Sequence, residues 1–96
     1  VILVDCLSLW LTNLIINERN IDRDITEFLD ALEKSLSDVI LVSSEVGLGI
    51  VPDNEMSRKF RDHLGSLHQR VAAISETVIM MVAGIPMIVK GQNELS

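Results

Sequence analysis

The chain has 96 residues, enough for one domain or part of one, since domains take roughly 100–200 residues. Hydrophobic residues make up 48% and charged residues 23%, which is ordinary for a folded chain and argues against intrinsic disorder. The net charge of −6 excludes a typical binder of duplex nucleic acid, because such proteins carry a basic surface.

Cysteine content and hydrophobic runs bear on the compartment. The single cysteine, Cys6, excludes an intrachain disulfide and fits a reducing compartment, so we expect a cytoplasmic protein. The apolar run over residues 1–16 is interrupted by Asp5 and Asn13 and is too short for a comfortable membrane span, so no transmembrane segment is expected. Because the chain opens on a hydrophobic run at Val1 without Met, we expect it to be a piece of a longer protein.

The first elements are predicted from apolar spacing. Residues 1–4 are an unbroken apolar run that ends at Asp5, which is typical of a strand buried on both faces. Apolar residues then recur every three or four positions to about Asn17, which predicts a helix, and the polar residues 18–20 predict a loop.

A second helix is predicted over residues 24–36, with Asp22 or Asp24 as its N-cap. Its spacing places five apolar residues on one stripe: Ile25, Phe28, Leu29, Leu32 and Leu36. Residues 39–42 form another fully apolar run and predict a second buried strand.

The second half begins with a predicted loop over residues 44–52, which contains two glycines and a proline. A long helix is predicted over 53–75, a strand over 78–82 and a short strand over 87–89, with the last two joined at 84–86. The helix carries an apolar stripe made of Met56, Phe60, Leu64, Leu67, Val71 and Ile74.

The predicted order is βααβαββ, which indicates an α/β fold. Strands joined through helices of ten or more residues pair in parallel through right-handed crossovers, whereas the short final connection favours an antiparallel pair. We therefore predict a mostly parallel sheet flanked by helices, with a C-terminal antiparallel strand pair. Three helices are too few to cover both faces of such a sheet, which again suggests missing material.

Polar residues that follow the first two strands are the main candidates for chemistry. Asp5 ends the first strand, and Ser43, Ser44 and Glu45 follow the second, so both groups fall at the sheet edge where α/β proteins bind ligands. An apolar strand that ends in an acid is typical of a Walker B segment, whose carboxylate holds Mg²⁺ beside nucleotide phosphates. The alternative is that Asp5 only caps the next helix.

Two further candidate groups follow. The glycines of the loop after Glu45, Gly47 and Gly49, let a backbone approach a ligand closely, although an ordinary turn explains them equally well. Arg58 and Arg61 are at helical spacing and could reach one phosphate, whereas the alternative is an ion pair between Arg58 and Asp62.

The remaining reactive side chains give weak signals. Cys6 is expected to be a buried small hydrophobic residue. His63 and His68 are five positions apart, a poor spacing for a shared metal, and are expected to be surface or interface residues.

Four segments together resemble the adenosylcobinamide kinase/adenosylcobinamide-phosphate guanylyltransferase family of cobalamin biosynthesis: residues 1–17, 42–52, 58–70 and 82–90. The resemblance covers nearly the whole chain, is weakest over 18–38, and is to the C-terminal part of that enzyme. Residues 1–96 are thus expected to be the C-terminal part of a single α/β nucleotide-binding domain.

The resemblance implies an incomplete P-loop NTPase fold of the RecA-like type and a homotrimer. It also implies phosphorylation of adenosylcobinamide by ATP or GTP with Mg²⁺, followed by transfer of GMP from GTP through a guanylylated histidine. In the family that histidine and the phosphate-binding loop lie upstream, so no catalytic residue is expected in this chain.

Site residues implied by the resemblance are assigned by position. Asp5 occupies the place of the family's acid after its Walker B-like strand, near the nucleotide and its metal. Glu45, Gly47, Arg58, Arg61 and the adjoining Asp62 are implied to line the nucleotide or a contact between subunits. Ser44 and His68 depart from the family pattern, which has Asn at both positions.

Three functional hypotheses remain. The chain is the C-terminal part of such an enzyme, inactive by itself because it lacks the phosphate-binding loop; or it is a non-catalytic assembly module derived from that fold. Another P-loop ATPase ranks last, because it would not explain the Glu45 loop and the Arg58 helix together.

Overall fold

The computed structural model describes residues 1–44 and 54–91. In chain order these form β1 (Ile2–Asp5), α1 (Leu7–Ile16), α2 (Ile21–Lys34), β2 (Val39–Val42), α3 (Glu55–Ile74), β3 (Val78–Val82) and β4 (Ile85–Lys90). The predicted element order is confirmed. No helix within the described ranges is long and apolar enough to cross a membrane.

The strands form two separate pairs rather than one mostly parallel sheet. β1 and β2 are parallel, with Ile2 beside Val39 and Asp5 beside Val42, as the crossover argument predicts. β3 and β4 are antiparallel, also as predicted. In the described part of the chain β3 hydrogen-bonds only to β4, so the expected parallel pairing of a third strand is not found there. The architecture shown is a small mixed α/β arrangement.

The hydrophobic core lies among the three helices of the described chain. Leu11 of α1 and Leu64 and Leu67 of α3 have no exposed surface, and Ile25 of α2 is 2% exposed. The sheet meets this core through Val4 and Leu41, which are neighbours in the strand register. Helices therefore cover one face of the β1–β2 pair, whereas both faces were predicted to be buried.

Helix α2 begins three residues earlier and ends two residues earlier than predicted. Its N-cap is Asn20, not Asp22 or Asp24: the Asn20 Oδ1 accepts from the Arg23 N–H at 3.1 Å. The helix starts there because Ile21 is already buried, one turn before Ile25 on the same stripe. Leu36 lies beyond the C-terminus and is fully exposed.

Asp24 is a buried carboxylate that is held by two arginines. It is 8% exposed, and its Oδ2 lies 3.0 Å from Arg19 Nε while its Oδ1 lies 3.5 Å from Arg23 Nε. The hydrogen bond from Arg19 is the main reason that the pKa of Asp24 is lowered, although desolvation acts in the opposite direction. The carboxylate thus joins the start of α2 to the preceding loop.

Helix α3 and the strand pair after it differ from prediction in detail. Asn54 caps α3, and Leu64, Leu67 and Val71 are its buried residues, while the predicted stripe residue Met56 is exposed.

The turn between β3 and β4 is Ala83–Gly84, both with positive φ (52° and 77°), rather than residues 84–86. Such a pair matches the twist of a two-residue hairpin, so β4 begins at Ile85.

Candidate functional site

The carboxyl ends of β1 and β2 meet at one edge of the parallel pair. Asp5, the last residue of β1, is beside Val42, the last residue of β2. Residues that follow the two strands are therefore brought together, as the sequence predicts. This location, which we call the carboxyl edge, is where open parallel sheets generally bind ligands.

Asp5 is the exposed carboxylate of the carboxyl edge. The strand register places it on the same face as Leu3, which is 63% exposed, and opposite to Val4, which packs on the helices. Among the described residues nothing forms a hydrogen bond or ion pair with its oxygens. The carboxylate is thus available to a ligand, and the N-cap of α1 is Cys6 rather than Asp5.

Cys6 is half-buried and hydrogen-bonded, so the prediction of a buried hydrophobic side chain is wrong. Its Sγ lies 2.9 Å from the Oγ of Ser8 and accepts from the Leu9 N–H at 3.5 Å. The hydrogen bond with Ser8 is the main cause of a lowered pKa of this thiol, and the Leu9 N–H adds to it. The sulfur acts as a helix cap.

The end of β2 is joined to two helices by polar contacts. The Ser43 Oγ lies 2.6 Å from Nε2 of His68 on α3. The Ser44 N–H donates to the Oγ of Ser8 on α1 at 3.4 Å. We call the five residues Cys6, Ser8, Ser43, Ser44 and His68 the edge clamp.

The edge clamp contains residues that the sequence analysis did not select as site residues. Ser8 is 8% exposed, so its hydroxyl is a buried polar group whose partners all lie at the carboxyl edge. His68 is half-buried, which is partly consistent with the expected surface or interface residue, but its bond to Ser43 was not foreseen. The positions of Ser43 and Ser44 after a strand were a usable signal.

The predicted arginines are on the first half of α3. Arg61 forms an ion pair with its neighbour Asp62 at 3.1 Å, and Arg58 is exposed. Arg58 precedes His68 by ten residues, which is about 15 Å of helix rise. Arg58 thus lies well along α3 from His68, and within residues 1–44 and 54–91 no ion pair joins either arginine to Asp5.

The other two predicted nucleotide-binding residues, Glu45 and Gly47, lie outside the described residues. Their placement after the carboxyl edge therefore stays a prediction from the sequence.

A shallow depression of about 350 Å³ opens beside Asp5. Its walls are mainly apolar and include Trp10 and Phe28, whose ring centroids are 4.8 Å apart. Asp5, Cys6 and Asn13 are its polar members. The carboxyl edge thus combines a free carboxylate with a neighbouring apolar surface.

A resident metal cage is not found in residues 1–44 and 54–91, where no three His, Cys, Asp or Glu side chains cluster. Mg²⁺ needs no such cage in nucleotide enzymes, because one or two carboxylates, water and substrate phosphates complete its shell. A lone exposed Asp5 at the carboxyl edge fits that coordination chemistry.

Comparison with known proteins identifies relatives over most of the chain. The sequence profile of the family described as cobinamide kinase / cobinamide phosphate guanyltransferase matches residues 1–89. A protein of Pseudomonas aeruginosa named bifunctional adenosylcobalamin biosynthesis protein CobP is 45% identical over 93 residues, which are 95% of this chain and 54% of the relative.

Two enterobacterial proteins, both named bifunctional adenosylcobalamin biosynthesis protein CobU, are also similar. The one from Salmonella typhimurium is 36% identical over 93% of this chain and 58% of its own length. The one from Escherichia coli is 31% identical over 94% of this chain and 58% of its own length. The chain thus spans a little over half the length of these relatives, and it belongs to the cobinamide kinase / cobinamide phosphate guanyltransferase family.

Proposed function

We propose that this chain is the C-terminal part of the nucleotide-binding domain of a bifunctional enzyme of cobalamin biosynthesis. That enzyme phosphorylates adenosylcobinamide with ATP or GTP and then transfers GMP from GTP to the product. Family membership and the names of the relatives support the assignment. The structural observation that carries it is the parallel β1–β2 pair with the free carboxylate of Asp5 at its carboxyl edge.

Asp5 is the residue that we assign to Mg²⁺ bound with GTP or ATP. Bound Mg²⁺ neutralises developing charge on the phosphates during phosphoryl transfer. Asp5 would hold the ion or its water ligands from the end of a strand, where the backbone is fixed by pairing with β2. The edge clamp begins at the next residue, Cys6, and limits movement of the backbone that carries the carboxylate.

Glu45, Gly47, Arg58 and Arg61 are proposed to contribute to nucleotide binding from beyond the carboxyl edge. Arg58 lies about 15 Å along the axis of α3 from His68, the residue of that helix that contacts the carboxyl edge. Arg58 and Arg61 therefore fit contacts with the far end of a triphosphate or with a neighbouring subunit better than contacts with the metal. A homotrimer, implied by the family resemblance, would supply such a neighbour.

The isolated 96-residue chain is proposed to be inactive. The backbone amides and lysine of a phosphate-binding loop are what neutralise a triphosphate in enzymes of this type, and the chain itself is acidic, with a net charge of −6. We expect isothermal titration of this chain with Mg·GTP to show no binding at micromolar concentrations. Micromolar affinity would contradict the proposed inactivity of the isolated chain.

The free thiol of Cys6 supports a cytoplasmic location.

Asp5→Asn in the longer protein tests the role of the carboxylate. We expect kcat for adenosylcobinamide phosphorylation to fall about 100-fold or more, because a metal-binding charge is lost. The circular dichroism spectrum should stay unchanged, because Asp5 is exposed and its carboxylate forms no hydrogen bond or ion pair within the described residues. Asp30→Asn, an exposed substitution on α2, is the matched control. Unchanged turnover in the Asp5 variant would remove Asp5 from the site.

A non-catalytic assembly module is a second candidate, supported by exposed apolar side chains on both strand pairs. Leu3 is 63% exposed and Ile85 is 67% exposed, which is unusual for folded chains that work alone. The coding sequence upstream of Val1 separates the two functions. A G-x-x-x-x-G-K-[ST] motif in the same reading frame supports the enzyme, and a stop codon followed by a start supports the module.

A further inference from the structure

The end of β2 is held from two sides by side chains of different helices. Ser43 contacts His68 of α3 with a separation of 2.6 Å between Oγ and Nε2. The next residue, Ser44, donates its N–H to Ser8 of α1 at 3.4 Å. Consecutive residues are therefore joined to two helices, and the residue after Asp5, Cys6, is joined to the same Ser8 hydroxyl.

The contact with His68 is separate from the apolar packing of α3. Leu64, Leu67 and Val71 are buried in the core shared with the other helices, so α3 is anchored without the imidazole. Loss of one hydrogen bond at the carboxyl edge should leave that core folded. It would nevertheless release the end of β2 from α3, because Ser43 directly follows Val42, the last residue of the strand and of its pairing with β1.

We propose that His68 is a positioning residue for the carboxyl edge: through its hydrogen bond with Ser43 it fixes the end of β2, and with it the neighbouring Asp5, relative to α3. The inference rests on the proposed function, because it assigns His68 to the site where Asp5 meets Mg²⁺ and nucleotide. His68 acts through Ser43 and touches no reacting atom.

A double-mutant cycle in the longer protein tests this role. The forms are wild type, His68→Ala, Ser43→Ala and the double variant, each measured for KM of Mg·GTP and for amide hydrogen exchange over residues 39–44. We expect either single change to raise KM about fivefold to tenfold, which is the range for one lost hydrogen bond to a half-buried group. The double variant should be no worse than His68→Ala, because that single change already removes the contact that Ser43→Ala removes.

Exchange over residues 39–44 should be faster in all three variants. His68→Gln should restore both readouts, since its amide nitrogen reaches nearly the position of the imidazole Nε2. Ser75→Ala is the matched control. It also removes one hydrogen bond, because the Ser75 hydroxyl donates to the Val71 carbonyl at 2.7 Å, but Ser75 is at the C-terminal end of α3 and does not contact Ser43. That variant should leave both KM and exchange over 39–44 unchanged.

Three results would overturn the inference. The first is a KM and an exchange rate that are both unaltered in His68→Ala. The second is that the effects of the two single changes add in the double variant. The third is that His68→Ala lowers Tm without changing KM. If the wild-type protein does not phosphorylate adenosylcobinamide, the proposed function fails by itself. Hydrogen exchange then still decides whether His68 holds the end of β2.

Discussion

The helices and the strand pairs of this chain bury their apolar residues to very different extents. In the helical core Leu11, Leu64 and Leu67 have no exposed surface, whereas Leu3 and Ile40, neighbours in the β1–β2 pair, are 63% and 55% exposed. Buried polar side chains in the described residues all have hydrogen-bond partners. The described helices therefore bury their apolar side chains against one another, whereas the strands leave apolar side chains exposed that another part of a protein could cover.

The same contrast appears at the helix ends, which are capped, and at the outer face of the β1–β2 pair, which is not covered by the described residues. The helix ends are capped: Asn20 and Asn54 accept backbone N–H groups at the starts of α2 and α3, and Lys90 of β4 donates to the Ala72 carbonyl at 2.8 Å. The outer face of β1–β2 has no comparable cover within the described ranges. All-apolar strands of this kind are usually covered on both faces in α/β proteins.

The largest effect is expected from a cavity in the helical core. Leu67→Ala should lower the free energy of unfolding by about 2–5 kcal/mol, because a fully buried leucine leaves a cavity that the surrounding helices fill only partly. Urea denaturation followed by circular dichroism measures the loss. Leu36→Ala, at a fully exposed leucine, is the control and should change the value by less than about 0.5 kcal/mol. Equal losses would mean that the core lies elsewhere.

Acid should weaken the helical region through Asp24. Its pKa in the folded chain is lowered by Arg19, so the carboxylate stabilises the fold above its unfolded pKa of about 3.9. That contribution is lost as pH falls through the lower folded pKa. Unfolding measured between about pH 2 and pH 6 should show Asp24→Asn less stable than wild type above about pH 4, with the difference shrinking towards pH 2. A difference independent of pH would contradict the ion pair, and Asp30→Asn serves as the exposed control.

The smallest effect is expected on the outer face of β1–β2. Ile40→Thr keeps a β-branched side chain and should change the stability of the 96-residue chain by less than about 0.5 kcal/mol, because Ile40 is 55% exposed. In the longer protein the same change should cost about 1.5 kcal/mol or more if other residues cover this face. Equal, small effects in both proteins would show that the face stays exposed.

Local patterns predicted the elements because each depends on residues close in sequence. The apolar runs that end at Asp5 and Val42 predicted β1 and β2, and helical spacing predicted α1. The cap of α2 was missed because Asn20 reads as part of a polar loop, while two aspartates nearby are equally good caps in sequence terms. The β3–β4 turn was misplaced towards Pro86, although that residue pairs with Met81 inside the strand pair.

The candidate site was predicted only in part. Asp5 and Ser43 were selected because they stand where two apolar runs end, and parallel pairing does bring the ends of those runs to one edge. Ser8 and His68 were not selected, since their partners are 36 and 25 positions away in the chain. The family position of Arg58 implies a contact with the nucleotide or with another subunit, and that role stays a prediction.

The sequence alone determined the order of strands and helices, the parallel pair with its terminal carboxylate, and the family of this chain, because apolar spacing and short motifs are local properties. Only the tertiary structure decided which polar side chains meet at the carboxyl edge and which apolar faces are covered. Those outcomes depend on how the helices pack against the strands. Packing brings together residues that are far apart in the sequence, and no local pattern shows which of them will meet.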